Sequence, residues 1–410
     1  MKSGILEGMV VLDLSRWLSG PQCTLLLAGF GAEVIKIDDP SAGDPTVEGP
    51  PFVGKHGVSF TRHDRADYGI AYLKRARGKK SITLDLKKPE GQELFRGLVK
   101  AADVIVENFR VGVTKRLGID YETLGKLNER LVYCSITGYG STGPDARLKA
   151  YDPLIQAATG FMSINGQPGS EPLKAGSALG DTLAGSFAAM GVISALLHRE
   201  KTGLGQYIDV SMAECMLSLI LDEPLDIYEQ LKLNPQQGNH IMRLSPVNTY
   251  RSADGWIAIC AHTTLDWNAL LELMGRADLK SHPDWSRMGW RIQNNPQVDE
   301  LISNWARQFP TGSLVEKMNA KEIPCSPVRS GKDVLAWPQM QERNALPKLR
   351  LPDGDSTDVV GPGFPLKFSN ATTGYEVPAP VPGLHTAEVL QRFLAIDSQR
   401  IGELRLAKVI

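Results

Sequence analysis

Cysteine is scarce in this sequence and poorly placed for either of its structural uses. Cys23, Cys134, Cys215, Cys260 and Cys325 are odd in number and scattered, with no Cys-x-x-Cys pair, which argues against a disulfide framework and against a zinc site. No metal is expected, and a reducing, cytoplasmic compartment fits this usage. The sequence also lacks any apolar run approaching about 18 residues, and its first eight residues contain no signal-peptide apolar core. Neither membrane spanning nor secretion by that route is expected. Net charge is nearly absent, −1 from 45 basic and 46 acidic side chains, so nothing advertises a nucleic-acid partner. The basic run Lys74-Arg75-Ala76-Arg77-Gly78-Lys79-Lys80 is short and reads as a solvated face, open at most to a polyanionic small molecule. There is no internal repeat and no low-complexity tract.

What is present is enough for two or three domains: 410 residues, 42% of them hydrophobic. Met9 to Leu14 is a valine-rich strand, a helix runs from Pro21 to Phe30 and stops at Gly31, and Glu33 to Ile37 is a second strand. This is a β-α-β unit of parallel-crossover size. Its turn contains only Gly20 and no Gly-x-Gly-x-x-Gly, so a bound NAD or FAD is not expected. Further strands at Ser81–Leu86, Asp103–Glu107 and Leu131–Ile136 alternate with helical stretches. The pattern predicts an α/β fold, a large doubly wound, Rossmann-like domain covered on both faces. Around 230 the texture changes. A hairpin over Asn248–Ala261 with Asp254-Gly255 at its turn, followed by short helices, predicts a smaller α+β domain. The expected organisation is 1–229, the first part of the large domain; 230–329, the small domain; and 330–410, a proline-rich return segment that completes the large domain.

The stretch Gly176 to Gln206 is the centre of this organisation. A helix is expected from Thr182 to Arg199, with Leu183, Phe187, Met190 and Leu197 at helical spacing, small residues between them, and a stop at Thr202-Gly203-Leu204-Gly205. Asp181 stands at its start. One reading is an N-cap. The other is a nucleophile, kept ionised by the positive helix end and approachable past Gly176 and Gly180.

Leu179-Gly180-Asp181, the small-residue helix, Thr202-Gly203-x-Gly205-Gln206 and Tyr207-Ile208-Asp209-Val210-Ser211 together resemble the signature of class III coenzyme A transferases. This is the family of formyl-CoA transferase and the carnitine CoA-transferases. The likeness runs nearly end to end and is weakest between 230 and 330. It implies that Asp181 carries the acyl group, with Asp152 an acidic residue near the reaction centre. It also implies that Trp17, Leu84, Lys87, Asn108, Phe109, Arg116, Leu117 and Lys149 line the coenzyme A site. No tightly bound cofactor is implied. The coenzyme A thioester is substrate, its partner a small carboxylic acid, and the assembly an interlocked homodimer. The related α-methylacyl-CoA racemases have a histidine where this chain has Tyr151, and moving an α-proton needs an acid/base pair, so transfer is favoured over racemisation. Where formyl-CoA transferase has a glycine-run loop, this chain has Gly238-Asn239-His240-Ile241-Met242-Arg243. Formate and oxalate are therefore not the expected acids, and His240 or Arg243 is a candidate for meeting a larger carboxylate.

Overall fold

A computed structural model describes residues 3–223 and 225–410. The chain divides into two compact units, one made of Met1–Phe161, Ala175–Glu223 and Gln339–Ile410, the other of Met162–Lys174 and Pro224–Pro338. The second unit thus takes in 162–174, a segment assigned from sequence to the large domain.

The strands of the first unit are β1 (Val10–Asp13), β2 (Glu33–Asp38), β3 (Phe52–Gly54), β4 (Gly57–Ser59), β5 (Tyr68–Gly69), β6 (Lys79–Thr83), β7 (Val104–Glu107), β8 (Val132–Thr137) and β9 (Tyr207–Ser211). Six of them form a sheet in the order β6-β2-β1-β7-β8-β9, every neighbour parallel. The order reverses direction at β1, so the carboxyl ends of β1 and β7 open the crevice where such sheets bind ligands. Alternation along the strands supplies two cores. Val11, Val34, Val106 and Cys134 face one side, and Leu12, Ile35, Ile105 and Tyr133 the other. The return segment covers the second face with helices Thr386–Leu394 and Ser398–Leu406, through Leu390 and Leu404. A small antiparallel sheet, β4-β3-β5, leads into the helix Ile70–Arg75. Its strands are too short to show alternation, and the sequence gives no sign of them.

Packing decides two stretches here. The central helix runs Leu179–Thr202, and its buried face is the small one: Gly180, Ala184, Gly185, Ala188, Val192 and Ala195. The large side chains Phe187, Met190 and Leu197 are exposed. The reason is close packing on the helix Ser19–Gly29: a Cβ on Gly185 would stand 2.5 Å from the Ser19 carbonyl oxygen, so no side chain fits between them. The basic run 74–80 is likewise not a solvated face. It carries the end of one helix and the start of β6, and Arg77 and Lys79 are buried.

The second unit pairs β10 (Val247–Arg251), β11 (Trp256–Cys260) and β12 (Cys325–Pro327) antiparallel. Tyr250, Ile257, Trp267, Leu270, Ile302 and Leu314 are in its core.

Candidate active site

Asp181 is the third residue of the central helix, not its cap. The cap position is Ala178, which has no side-chain acceptor, so the helix's first N–H groups need one from elsewhere. Asp152 provides it from 28 residues earlier: its Oδ1 accepts from the Gly180 N–H at 2.7 Å and from the Asp181 N–H at 3.3 Å. Asp152 begins the helix Asp152–Ala158, so it does not cap its own helix either. Its Oδ2 accepts from Gln156 Nε2 at 2.6 Å, one helical turn on. Gln156 in turn accepts from the Ala175 N–H at 2.8 Å, which ties down the chain entering the central helix. Gly180 leaves room for Asp152 rather than for a substrate, since its Cβ would stand 3.2 Å from Oδ1. The Gly180 N–H is thereby occupied and is not left over for an oxyanion.

The carboxyl of Asp181 is released from helix capping and turns to the next element. It faces Ser19, the first residue of the helix Ser19–Gly29, whose backbone N–H and hydroxyl favour its ionised form. Burial pushes its pKa up to about 6 and the Asp152 carboxylate adds to this, while Ser19 and the Arg75 guanidinium oppose it. Such a group is still mainly ionised at neutral pH, and it is more basic, hence more nucleophilic, than an ordinary aspartate.

The loop carrying Ser19 is held from two sides. Asn108, just beyond β7, accepts from the Arg16 N–H at 2.9 Å and donates to the Arg16 carbonyl at 2.8 Å. It also reaches the Ser19 hydroxyl at 3.3 Å. Trp17 adopts a left-handed backbone, φ 67°, which costs a non-glycine residue free energy and persists only where neighbours fix it. Its carbonyl accepts from Arg75 Nη1 at 2.9 Å, and its ring is 53% exposed. Beneath the loop, Lys36 Nζ donates to the Ser15 carbonyl at 2.9 Å.

The residues expected to line the coenzyme A site are scattered in character. Leu84 is 1% exposed and belongs to the core of the second sheet face, so its side chain is packing. Phe109 and Leu117 pack partly buried against that same core. Lys87 is exposed and paired with Asp39 at 2.7 Å. Arg116 and Lys149 are exposed, Asn108 is engaged with the Arg16–Ser19 loop, and Trp17 is available. In the second unit His240 is paired with Asp299 at 2.7 Å. Ser19, Gln156 and Arg75 were not anticipated. Gln156 was legible as a partner four residues from Asp152 on one helix face, whereas Arg75 was hidden in a run read as solvated.

Beyond the site residues, a cleft of about 340 Å³ lies against β7, β8 and β9, lined by Phe109, Arg110, Tyr133 and Tyr207 among others. The buried Glu107 on its wall is pushed up to about 7 by desolvation.

Known proteins resemble this chain over nearly its whole length. The sequence pattern of CoA-transferase family III matches residues 6–386. The chain is 33% identical over 394 residues to a succinate–glutarate CoA-transferase of Agrobacterium fabrum, covering 96% of each chain. It is 34% identical over 391 residues to a succinyl-CoA:mesaconate CoA-transferase of Haloarcula hispanica, covering 94% of this chain and 96% of that one. Among solved structures, a CAIB/BAIF family protein from Brucella suis superimposes with a TM-score of 0.82 at 31% identity, covering 96% of this chain and all of that one. With a pattern that spans nearly the whole sequence and relatives matched end to end, the chain belongs to CoA-transferase family III.

Proposed function

We propose that this enzyme moves coenzyme A from succinyl-CoA to a second carboxylic acid through a covalent thioester of Asp181. The observation that carries the reading is that Asp152 takes over the N–H groups of the central helix, leaving the Asp181 carboxylate, raised in basicity, free to react. An Asp181 oxygen attacks the thioester carbonyl, the C–S bond breaks, and a mixed anhydride forms beside the coenzyme A thiolate. The thiolate attacks the Asp181 carboxyl carbon, giving an aspartyl thioester and the free donor acid. The acceptor carboxylate then attacks that thioester, expelling thiolate, which takes the new acyl group and restores Asp181. Two thioester exchanges through covalent steps need no outside base, because every attacking group is already an anion. The names of the relatives, acting on succinate, glutarate and mesaconate, support succinyl-CoA as donor. Lys87, Arg116 and Lys149 are the cations we assign to the phosphates of coenzyme A.

The test is a panel of acids incubated with succinyl-CoA and read by mass for a new acyl-CoA ester. Formation of succinate and coenzyme A without any new ester overturns the reading. In the same assay Arg116→Ala is expected to raise the KM for succinyl-CoA about 10-fold without changing which acid is accepted. An unchanged KM removes Arg116 from the coenzyme A site.

The enzyme works as a homodimer in this reading. Met190 and Leu197, 54% and 62% exposed, stand with Phe187 on the outer face of the central helix, an apolar stripe that a second copy would cover. Light scattering is expected to give twice the 44.7 kDa of one chain, and the mass of one chain at micromolar concentration removes the proposal.

A further inference from the structure

We propose that Arg75 reads the second carboxylate of a dicarboxylic acceptor whose first carboxylate reacts at Asp181, an inference that rests on the transfer reading above. Arg75 ends the helix Ile70–Arg75, and its Nη1 is pinned to the Trp17 carbonyl, two residues from Ser19, whose N–H and hydroxyl favour the ionised Asp181. The guanidinium is therefore fixed on the loop that fixes the nucleophile, close enough for each charge to act on the other. A guanidinium carries five N–H donors in a planar fork. One of them is committed to Trp17, and among the described residues no carboxylate pairs with Arg75 directly; Asp181 and Asp44 act on it at longer range. Burial draws its pKa below the usual arginine value, the mark of a cation short of compensation.

This arrangement discriminates. An acid with a carboxylate at each end places one against the fork, in the bidentate geometry arginine favours, and the other toward Asp181. A monocarboxylic acid of the same length leaves the half-buried fork without an anion, and a site whose polar groups go unpaired rejects the analogue that lacks the matching group.

The experiment compares glutarate with pentanoate, two five-carbon acids, as acceptors for the wild type, Arg75→Gln and Arg75→Lys, with succinyl-CoA as donor. Acceptor kcat/KM reports the step from the aspartyl thioester, so the donor cancels from the comparison. Arg75→Gln is expected to lower the glutarate-to-pentanoate ratio of kcat/KM by about 10- to 100-fold, and Arg75→Lys to recover part of it. A ratio that stays unchanged, or a loss shared equally by both acids, overturns the proposal, the latter assigning Arg75 to support of the loop. If the wild type transfers coenzyme A to no acid, the transfer reading is what fails. Calorimetric binding of the two acids to the same proteins then decides Arg75: loss of glutarate affinity alone sustains it, and equal affinities remove it.

Discussion

Asp181→Asn should fold, melt no lower than the wild type, and lose transfer by about three orders of magnitude or more. The amide keeps the size and shape of the carboxylate beside Ser19, so the start of the helix Ser19–Gly29 is not disturbed. It cannot attack a thioester, so the covalent route is closed. The stability expectation follows from the raised pKa. A carboxyl that titrates near 6 in the folded chain binds its proton more tightly there than in the unfolded chain, where the ordinary value is about 4. Its contribution to stability is therefore complete below the unfolded value and is lost as pH rises through the folded one. At neutral pH the ionised Asp181 strains the site against Asp152, and the neutral asparagine relieves that strain.

Two further readouts separate a nucleophile from a structural carboxylate. Hydroxylamine added to the wild type with succinyl-CoA should convert the aspartyl thioester to a hydroxamate on the peptide containing Asp181, releasing coenzyme A. The kcat/KM for succinyl-CoA, which reports attack by the free Asp181 carboxylate, should fall as pH drops through about 6, where Asp181 takes up its proton. Near-normal turnover by Asp181→Asn, with no modified peptide in the wild type, removes the mechanism.

The sequence was informative where side-chain period and punctuation agree, and misleading where a residue serves a distant element. The unit β1–helix–β2 reads directly from its valine run and from Gly31, and β9 matches its expected bounds, Tyr207–Ser211. The start of the central helix was placed three residues late because Asp181 looked like a cap. The actual cap comes from Asp152, and no local rule shows a carboxylate 28 residues away. Gly185 and the alanines of that helix, legible as small residues between the large ones, are what the neighbouring helix can approach. Small residues score weakly on any hydrophobic scale yet allow the closest packing. Start of β6 was read as Ser81 rather than Lys79 because two adjacent lysines resemble a solvated run. One of them, Lys79, is the buried counter-charge of Asp13. The position of Asp181 at the start of the central helix is legible in the sequence, but the Asp152 carboxylate that caps this helix and the nearby Arg75 depend on tertiary contacts.

That buried pair gives the largest stability effect expected of a single change. Lys79 Nζ stands 2.9 Å from Asp13 Oδ2, and also donates to Thr24 Oγ1 at 2.7 Å and to the Pro21 carbonyl at 3.2 Å. Asp13 further accepts from the Thr24 hydroxyl at 2.6 Å and from the Ser15 N–H at 3.0 Å. Burial alone would push the Asp13 carboxyl up, but the Lys79 and Lys36 ammoniums and the two hydroxyls hold it at about 2. Lys79→Met fills the space of the side chain and removes one of these charges, leaving Asp13 buried with only Lys36 near it. Removing one partner of a buried pair typically costs about 3–5 kcal/mol, and that is the loss expected in denaturant unfolding at neutral pH. The sign of its pH dependence is fixed by the carboxyl. In the wild type the depressed pKa contributes stability above about pH 4, lost as pH falls toward 2. In the variant the Asp13 pKa rises with burial, so protonation relieves the stranded charge and the deficit should shrink between neutral pH and about pH 5. The double variant Asp13→Asn/Lys79→Met, which leaves no charge at either position and keeps an acceptor for Ser15 and Thr24, should recover most of the loss. A single-variant deficit below about 1 kcal/mol, equal at both pH values, shows that the pair contributes no coupling and that the loop above it is held by Asn108 and Lys36 alone.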